Sequence, residues 1–106
     1  MQLVRTHTYK RSLKRLRASQ ADVQVMERNV AGNPLDGDVI PGLGGVRKAR
    51  FAMQSKGKSG GGRVIYYAVL ADDTVIMLLA YAKSAQSDLT AAQKKLIAAL
   101  VKELMR

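Results

Sequence analysis

Apolar and polar residues alternate along part of this chain and recur at helical spacing along other parts. From Val46 to Met53, an extended backbone puts Ala49, Phe51 and Met53 on one side and Lys48 and Arg50 on the other, the period-two pattern of a half-buried strand. Arg63 to Leu70 and Val75 to Ala82 predict two further strands. The run Val-Ile-Met-Leu-Leu-Ala-Tyr from 75 to 81 has no polar side and reads as covered on both faces. Asp72-Asp73 is the short link between these two strands, a hairpin signal.

Upstream, residues 2–6 predict a short first strand. Thr8 to about Arg17 predict a helix with Leu13 and Leu16 on its apolar side and Lys10, Arg11, Lys14, Arg15 and Arg17 over the rest. Ser19 is an N-cap candidate, with Asp22 three residues on. Val23, Met26 and Val30 then give the apolar face of a second helix, which Gly32, Asn33 and Pro34 end. The stretch from Pro34 to Gly45 is turn-rich. The chain closes with a helix capped by Asp88 or Thr90, with Thr90 and Gln93 at capping-box spacing. Leu96, Ile97, Leu100, Val101 and Leu104 form its stripe, and Lys94, Lys95 and Lys102 lie outside it. The expected fold is one α+β domain over residues 1–106, in the order β-α-α-β-β-β-α. An N-terminal α-hairpin packs on a small antiparallel sheet that also carries a C-terminal helix.

Charge narrows the partners. Eighteen basic residues against eight acidic ones leave a net +10, which suits nucleic acid, an acidic protein or an anionic membrane. No apolar run approaches the ~20 residues that cross a bilayer. The N-terminal MQLVRTHTYKR has no signal-peptide core, so a cytoplasmic protein without a membrane partner is expected. Cysteine is absent and His7 is the only histidine. The lack of cysteine removes disulfides, cysteine-ligated zinc and Cys-His catalysis, and no Ser-His-Asp set is expected around His7. Asp36, Asp38, Asp72 and Asp73 sit in turns, where turn chemistry explains them. Neither a metal nor a cofactor is expected.

Candidate chemistry gathers between Asp38 and Tyr67. That stretch holds Arg47, Lys48, Arg50, Lys56, Lys58 and Arg63 and no acid after Asp38. If the three strands pair in order, Lys48, Arg50, Arg63 and Lys83 converge on one concave surface able to hold a phosphate. Arg47, Lys56, Lys58, Lys94 and Lys95 are the accompanying candidates for RNA contact. The glycine-rich loop from Lys56 to Gly62 is not a Walker motif: Ala52 stands where its first glycine would be, and a strand rather than a helix follows. It is either a simple hairpin connection or a basic flap over a nucleic-acid strand. Such a surface can assist attack of an RNA 2′-hydroxyl on the adjacent phosphorus, by alignment, by stabilising the added negative charge and by moving protons.

In order, Asn33-Pro34, Gly37-Asp38-Val39-Ile40, Gly42-x-Gly44-Gly45, Arg47-Lys48-x-Arg50, Gly57-Lys58-Ser59-Gly60-Gly61-x-Arg63-Val64-Ile65-Tyr66-Tyr67, Tyr81-x-Lys83 and Ser87-Asp88-Leu89 form a series. It resembles the RelE/ParE-superfamily toxins of bacterial toxin–antitoxin systems, in their HigB-like branch. The resemblance implies a ribosome-dependent mRNA endonuclease that enters the ribosomal A site and cuts the codon there. It implies neutralisation by a cognate antitoxin, often one with a helix-turn-helix domain. By position, Lys48 and Arg50 match the strand cations of the active site, Arg63 the arginine that stabilises the cleavage transition state, and Lys83 a basic position after the last strand. RelE proper has an arginine after the Lys83 position and a tyrosine near Thr90. This chain has Ser84 and Thr90 there, which leaves Tyr81 as the tyrosine available for proton transfer. The ParE side of the superfamily poisons DNA gyrase instead, and a non-nucleolytic toxin or basic RNA-binding module is the competing expectation.

Overall fold

A computed structural model describes residues 1–54 and 61–104. Their elements are β1 (Gln2–Arg5), α1 (His7–Leu16), α2 (Gln20–Gly32), β2 (Asp38–Val39), β3 (Arg47–Phe51), β4 (Gly62–Val69), β5 (Thr74–Ala82) and α3 (Ala91–Leu104). The strands form one sheet in the order β1-β5-β4-β3-β2.

The caps are local and fall where the side chains allow them. Thr6 opens α1, its hydroxyl accepting from the Tyr9 amide at 3.2 Å and donating to the Met77 carbonyl at 2.7 Å. Ser19 opens α2 by accepting from the Asp22 amide at 3.1 Å. Ahead of α3, Thr90 and Gln93 form the reciprocal box, with bonds of 3.0 and 3.1 Å. Between β4 and β5 a short 3₁₀ turn, Leu70–Asp72, reverses the chain, and Asp73 takes the left-handed conformation at φ 52°. Aspartate tolerates that conformation better than most residues.

The sheet is mixed rather than wholly antiparallel. β1 runs parallel to β5, pairing Leu3 with Val75 and Arg5 with Met77, while β2, β3, β4 and β5 pair antiparallel. The reason is topological. The chain leaves β1 into two helices and returns only through three other strands, so β1 completes the outer edge of β5 instead of joining a hairpin. β2 is the other addition, a two-residue strand inside the stretch expected to be turns.

Both faces of the sheet are covered. The α1–α2 side buries Tyr9, Met26 and Val30 against Phe51, Val64, Tyr66, Val75 and Met77. The α3 side buries Ile97 and Val101 against Ile65, Leu78, Leu79, Tyr81 and the Ile40, Leu43 and Val46 turn. Successive strand residues should alternate between these sides, but Leu78 and Leu79 both enter the α3 core. Tyr66 pairs with Met77 and Ile65 with Leu79, so Leu78 is the extra residue of a bulge.

Two polar networks hold the helices and the turn. Glu27, buried in α2, takes a two-pronged pair from Arg5 at 2.8 and 3.0 Å and a bond from the Tyr9 hydroxyl at 2.7 Å. It thereby joins β1, α1 and α2. Removing Arg5 would leave the buried Glu27 carboxylate without its charged partner, which destabilises the fold. Tyr66 secures the turn after α2 by donating to the Pro34 carbonyl at 2.9 Å and accepting from the Gly37 amide at 3.0 Å. A Cβ on Gly37 would run into the Tyr66 phenol and lie 3.0 Å from the Lys48 carbonyl, so only glycine fits.

Candidate nucleic-acid interface

Cross-strand pairing determines which cations meet. Arg50 on β3 stands opposite Arg63 on β4, and Arg63 opposite Tyr81 on β5. Directly paired residues share a face, so the three side chains form one row across the sheet on the α3 side. Lys48, two residues before Arg50, shares that face in the next row, opposite Ile65. Lys83 follows β5 immediately, and its amide donates to the Gly61 carbonyl at 3.0 Å. Arg50, Arg63, Lys83 and Ser84 line a cleft of about 610 Å³ whose remaining wall is Phe51, Ala52, Gly61 and Gly62.

The face is not bare, as the alternation of β3 alone suggested. α3 and the loop ahead of it cover part of it, leaving Arg50 exposed while Lys48 and Arg63 are half-buried. Lys48 meets the Asp88 carboxylate at 3.9 Å and does not line the cleft. Asp88 also accepts from the Leu89 amide at 2.8 Å. Gln86 ties this loop to α3 through the Gln93 side chain at 2.7 Å. Arg63 folds one guanidinium nitrogen back onto the Gly62 carbonyl at 2.8 Å. Among the described residues its guanidinium has no other hydrogen-bond partner, and guanidinium geometry suits two phosphate oxygens at once.

Gly62 makes this packing possible. A Cβ there would lie 2.7 Å from the Tyr81 carbonyl and 3.0 Å from the Met53 methyl carbon. The glycine therefore lets β4 approach β5 closely just where Arg63 must face Tyr81.

Tyr81 is 4% exposed, and its hydroxyl has no hydrogen-bond partner among the described residues. Burial pushes its pKa up and the Asp88 charge pushes it further, against an opposing influence from Arg63. Near neutrality the group is a phenol, suited to donating a hydrogen bond rather than removing a proton.

The remaining candidates fall elsewhere. Arg47 shares the α1–α2 side with its partner Tyr66. Its guanidinium donates to the carbonyls of Leu35 at 3.1 Å and Gly37 at 2.8 Å, so it braces the turn rather than joining the row. Lys94 and Lys95 are exposed in the first turns of α3, outside the cleft lining. Lys56 and Lys58 lie outside the described residues. Thr90 is spent on the α3 cap. Sequence reading missed the close-approach role of Gly62 and the pairing of Asp88 with Lys48. The first had a signal, a glycine beginning an otherwise β-branched and aromatic strand; the second had none.

Among the described residues, no three of His, Cys, Asp and Glu stand close enough to hold a metal ion. No helix among them is long and apolar enough to cross a membrane.

Comparison with known proteins agrees with this architecture. A solved structure of the E. coli toxin RelE, a double arginine-to-alanine mutant in the free state, superposes with a TM-score of 0.56. The match is at 15% identity and covers 81% of this chain and 86% of that one. The family model described as the RelE toxin of the RelE/RelB toxin–antitoxin system matches residues 1–106. The chain belongs to the RelE toxin family of toxin–antitoxin systems.

Proposed function

We propose that this toxin, of the HigB-like branch, is an endoribonuclease that enters the ribosomal A site and cuts the mRNA codon there without a metal ion. The observation that carries this reading is the cross-strand pair Arg50–Arg63, which lines one cleft together with Lys83. It offers fixed positive charge and hydrogen-bond donors around a space that fits a phosphodiester. The 2′-oxygen bonds to phosphorus as the bond from phosphorus to the 5′-oxygen breaks, leaving a 2′,3′-cyclic phosphate and a 5′-hydroxyl. The 2′-hydroxyl gives its proton to water, and the departing 5′-oxygen takes one from the Lys83 ammonium, which water then reprotonates.

Arg63, with Arg50 beside it, stabilises the charge that builds on the non-bridging oxygens. Lys83 neutralises or protonates the departing oxygen. Tyr81 stands opposite Arg63 on β5 with its buried hydroxyl outside the cleft lining, and supports Arg63 from behind. Lys48 secures the neighbouring backbone phosphate once Asp88 releases it. The ribosome aligns the codon, so this small site needs no deep substrate groove of its own. A cognate antitoxin, acidic and with a helix-turn-helix domain, complements the +10 charge and covers the cleft.

Mapping RNA ends after induced expression in a bacterial host tests this. New 5′-hydroxyl ends inside translated frames, lost when translation is blocked, are expected. Supercoiling defects in DNA with no new RNA ends would replace this reading with a gyrase-directed one.

A further inference from the structure

Asp88 is a carboxylate set among cations that suit a polyanion. Its Oδ1 lies 3.9 Å from the Lys48 ammonium, and Lys48 is two residues before Arg50 on the same face of β3. Among the described residues the ion pairs are this one and Arg5–Glu27, so Lys48 is held while Arg50, Arg63 and Lys83 pair with no carboxylate. The Asp88 charge is also felt at the buried Tyr81 phenol opposite Arg63, so it bears on the row and not on Lys48 alone. An acid in this place weakens the attraction for RNA phosphates.

The fold does not require that charge. α3 begins at Ala91 and is capped by the Thr90–Gln93 box, beyond Asp88. The Asp88 side chain accepts from the Leu89 amide at 2.8 Å, a bond that a neutral amide oxygen makes as well. Other groups hold the loop: Gln86 donates to the Asp88 carbonyl at 2.9 Å and to the Gln93 side chain at 2.7 Å. Asp88 is thus fixed in place beside Lys48. The ion pair itself is weak, because its side chains are 29% and 57% exposed and exposed pairs contribute little to stability. Such a pair gives way to a well-placed phosphate. Asp38 provides the contrast. It stands opposite Lys48 on β2, and so on the same face, but forms no ion pair with it.

We infer that Asp88 is a specificity-determining residue: it withholds Lys48 from free RNA, so that the cations fill only when the ribosome presents the codon. This rests on the ribosome-directed reading above. Any RNA that takes Lys48 must first displace Asp88. A free single strand also loses backbone freedom with each contact it makes. A codon held on the ribosome is already ordered and is presented at high local concentration. The same displacement therefore leaves free RNA below the threshold for binding and the ribosome-held codon above it. Without Asp88, Lys48 would join Arg50, Arg63 and Lys83 for any single strand that met the protein. A nuclease of net charge +10 with no such check would bind cellular RNA at large.

The test compares Asp88→Asn, Lys48→Gln and the two together, with Asp38→Asn as the control for net charge. Asparagine keeps the oxygen that accepts from Leu89. Fluorescence anisotropy measures binding to a free 2′-O-methyl RNA oligonucleotide, which lacks the attacking hydroxyl, over a series of KCl concentrations. Asp88→Asn is expected to bind about three to ten times more tightly, with a salt slope steeper by about 0.7, the increment for one further single-strand phosphate contact. Lys48→Gln is expected to remove that gain when combined with Asp88→Asn. Its effect on the parent is expected to be smaller, since Asp88 already holds that cation. Asp38→Asn removes the same charge and is expected to gain less. Unchanged or weaker binding by Asp88→Asn would overturn the inference. So would an equal gain from Asp38→Asn, or a gain that survives Lys48→Gln. A parent chain that cuts free RNA as fast as programmed mRNA would remove the ribosome-directed reading and this inference with it. A parent that cuts only on ribosomes, while Asp88→Asn leaves free-RNA binding unchanged, would remove this inference alone.

Discussion

Arg50 and Arg63 stand directly opposite each other on neighbouring antiparallel strands. Like charges in that relation destabilise a sheet by about 0.2–1 kcal/mol, and no carboxylate is paired with either among the described residues. A chain selected for stability alone would place an acid or a β-branched residue at one of the two positions. Arg63→Ala is therefore expected to leave the fold as stable as the parent, or to raise stability by up to about 1 kcal/mol. Urea unfolding checks this, and a loss of 2 kcal/mol or more would make Arg63 a structural residue.

Gly62 and Gly61 are neighbours with opposite demands. Gly62→Ala puts a methyl 2.7 Å from the Tyr81 carbonyl, whereas a Cβ on Gly61 meets nothing within 4 Å. Gly62→Ala is expected to destabilise by about 1–3 kcal/mol, the range for overpacking, and to reduce cleavage by displacing Arg63. Gly61→Ala is expected to do neither. Denaturant midpoints of the two variants, measured side by side, decide the matter; equal midpoints would contradict the close-approach role.

Tyr9, Tyr66 and Tyr81 share a pH dependence. Burial raises each above the ordinary phenol value of 10.0, and for Tyr9 the bond to Glu27 adds to it. A raised folded pKa means that the unfolded chain releases the proton first. The stability these groups contribute is thus fully present below pH 10.0 and is lost as pH rises beyond it. Phenolate absorbance followed with circular dichroism should show these three ionising together with unfolding. Their ionisation near pH 10.0 with the fold intact would contradict the burial.

What could be read from the sequence depended on how far apart the interacting residues are. The Ser19 cap and the Thr90–Gln93 box each span three residues, and both appear as expected. The parity of β3 put Lys48 and Arg50 on one face, and the sheet keeps them there. The same parity separates Arg47 from them, a signal that grouping by charge alone overlooks. Long-range relations were not legible. Glu27 lies 22 residues from Arg5, and no local pattern announces their pair. Nor does a four-residue strand with two polar positions reveal that it will run parallel to β5.

The convergence of Arg50, Arg63 and Lys83 on one scissile phosphodiester is tested most directly by single-turnover cleavage of mRNA on programmed ribosomes, at saturating protein. The unaltered chain is expected to cut within the A-site codon and leave a 5′-hydroxyl end. Arg63→Ala is expected to bind and to cut about 10²–10³ times more slowly, the usual loss when one charge-stabilising donor is removed. Cleavage by Arg63→Ala at the parent rate would contradict the assignment of the site.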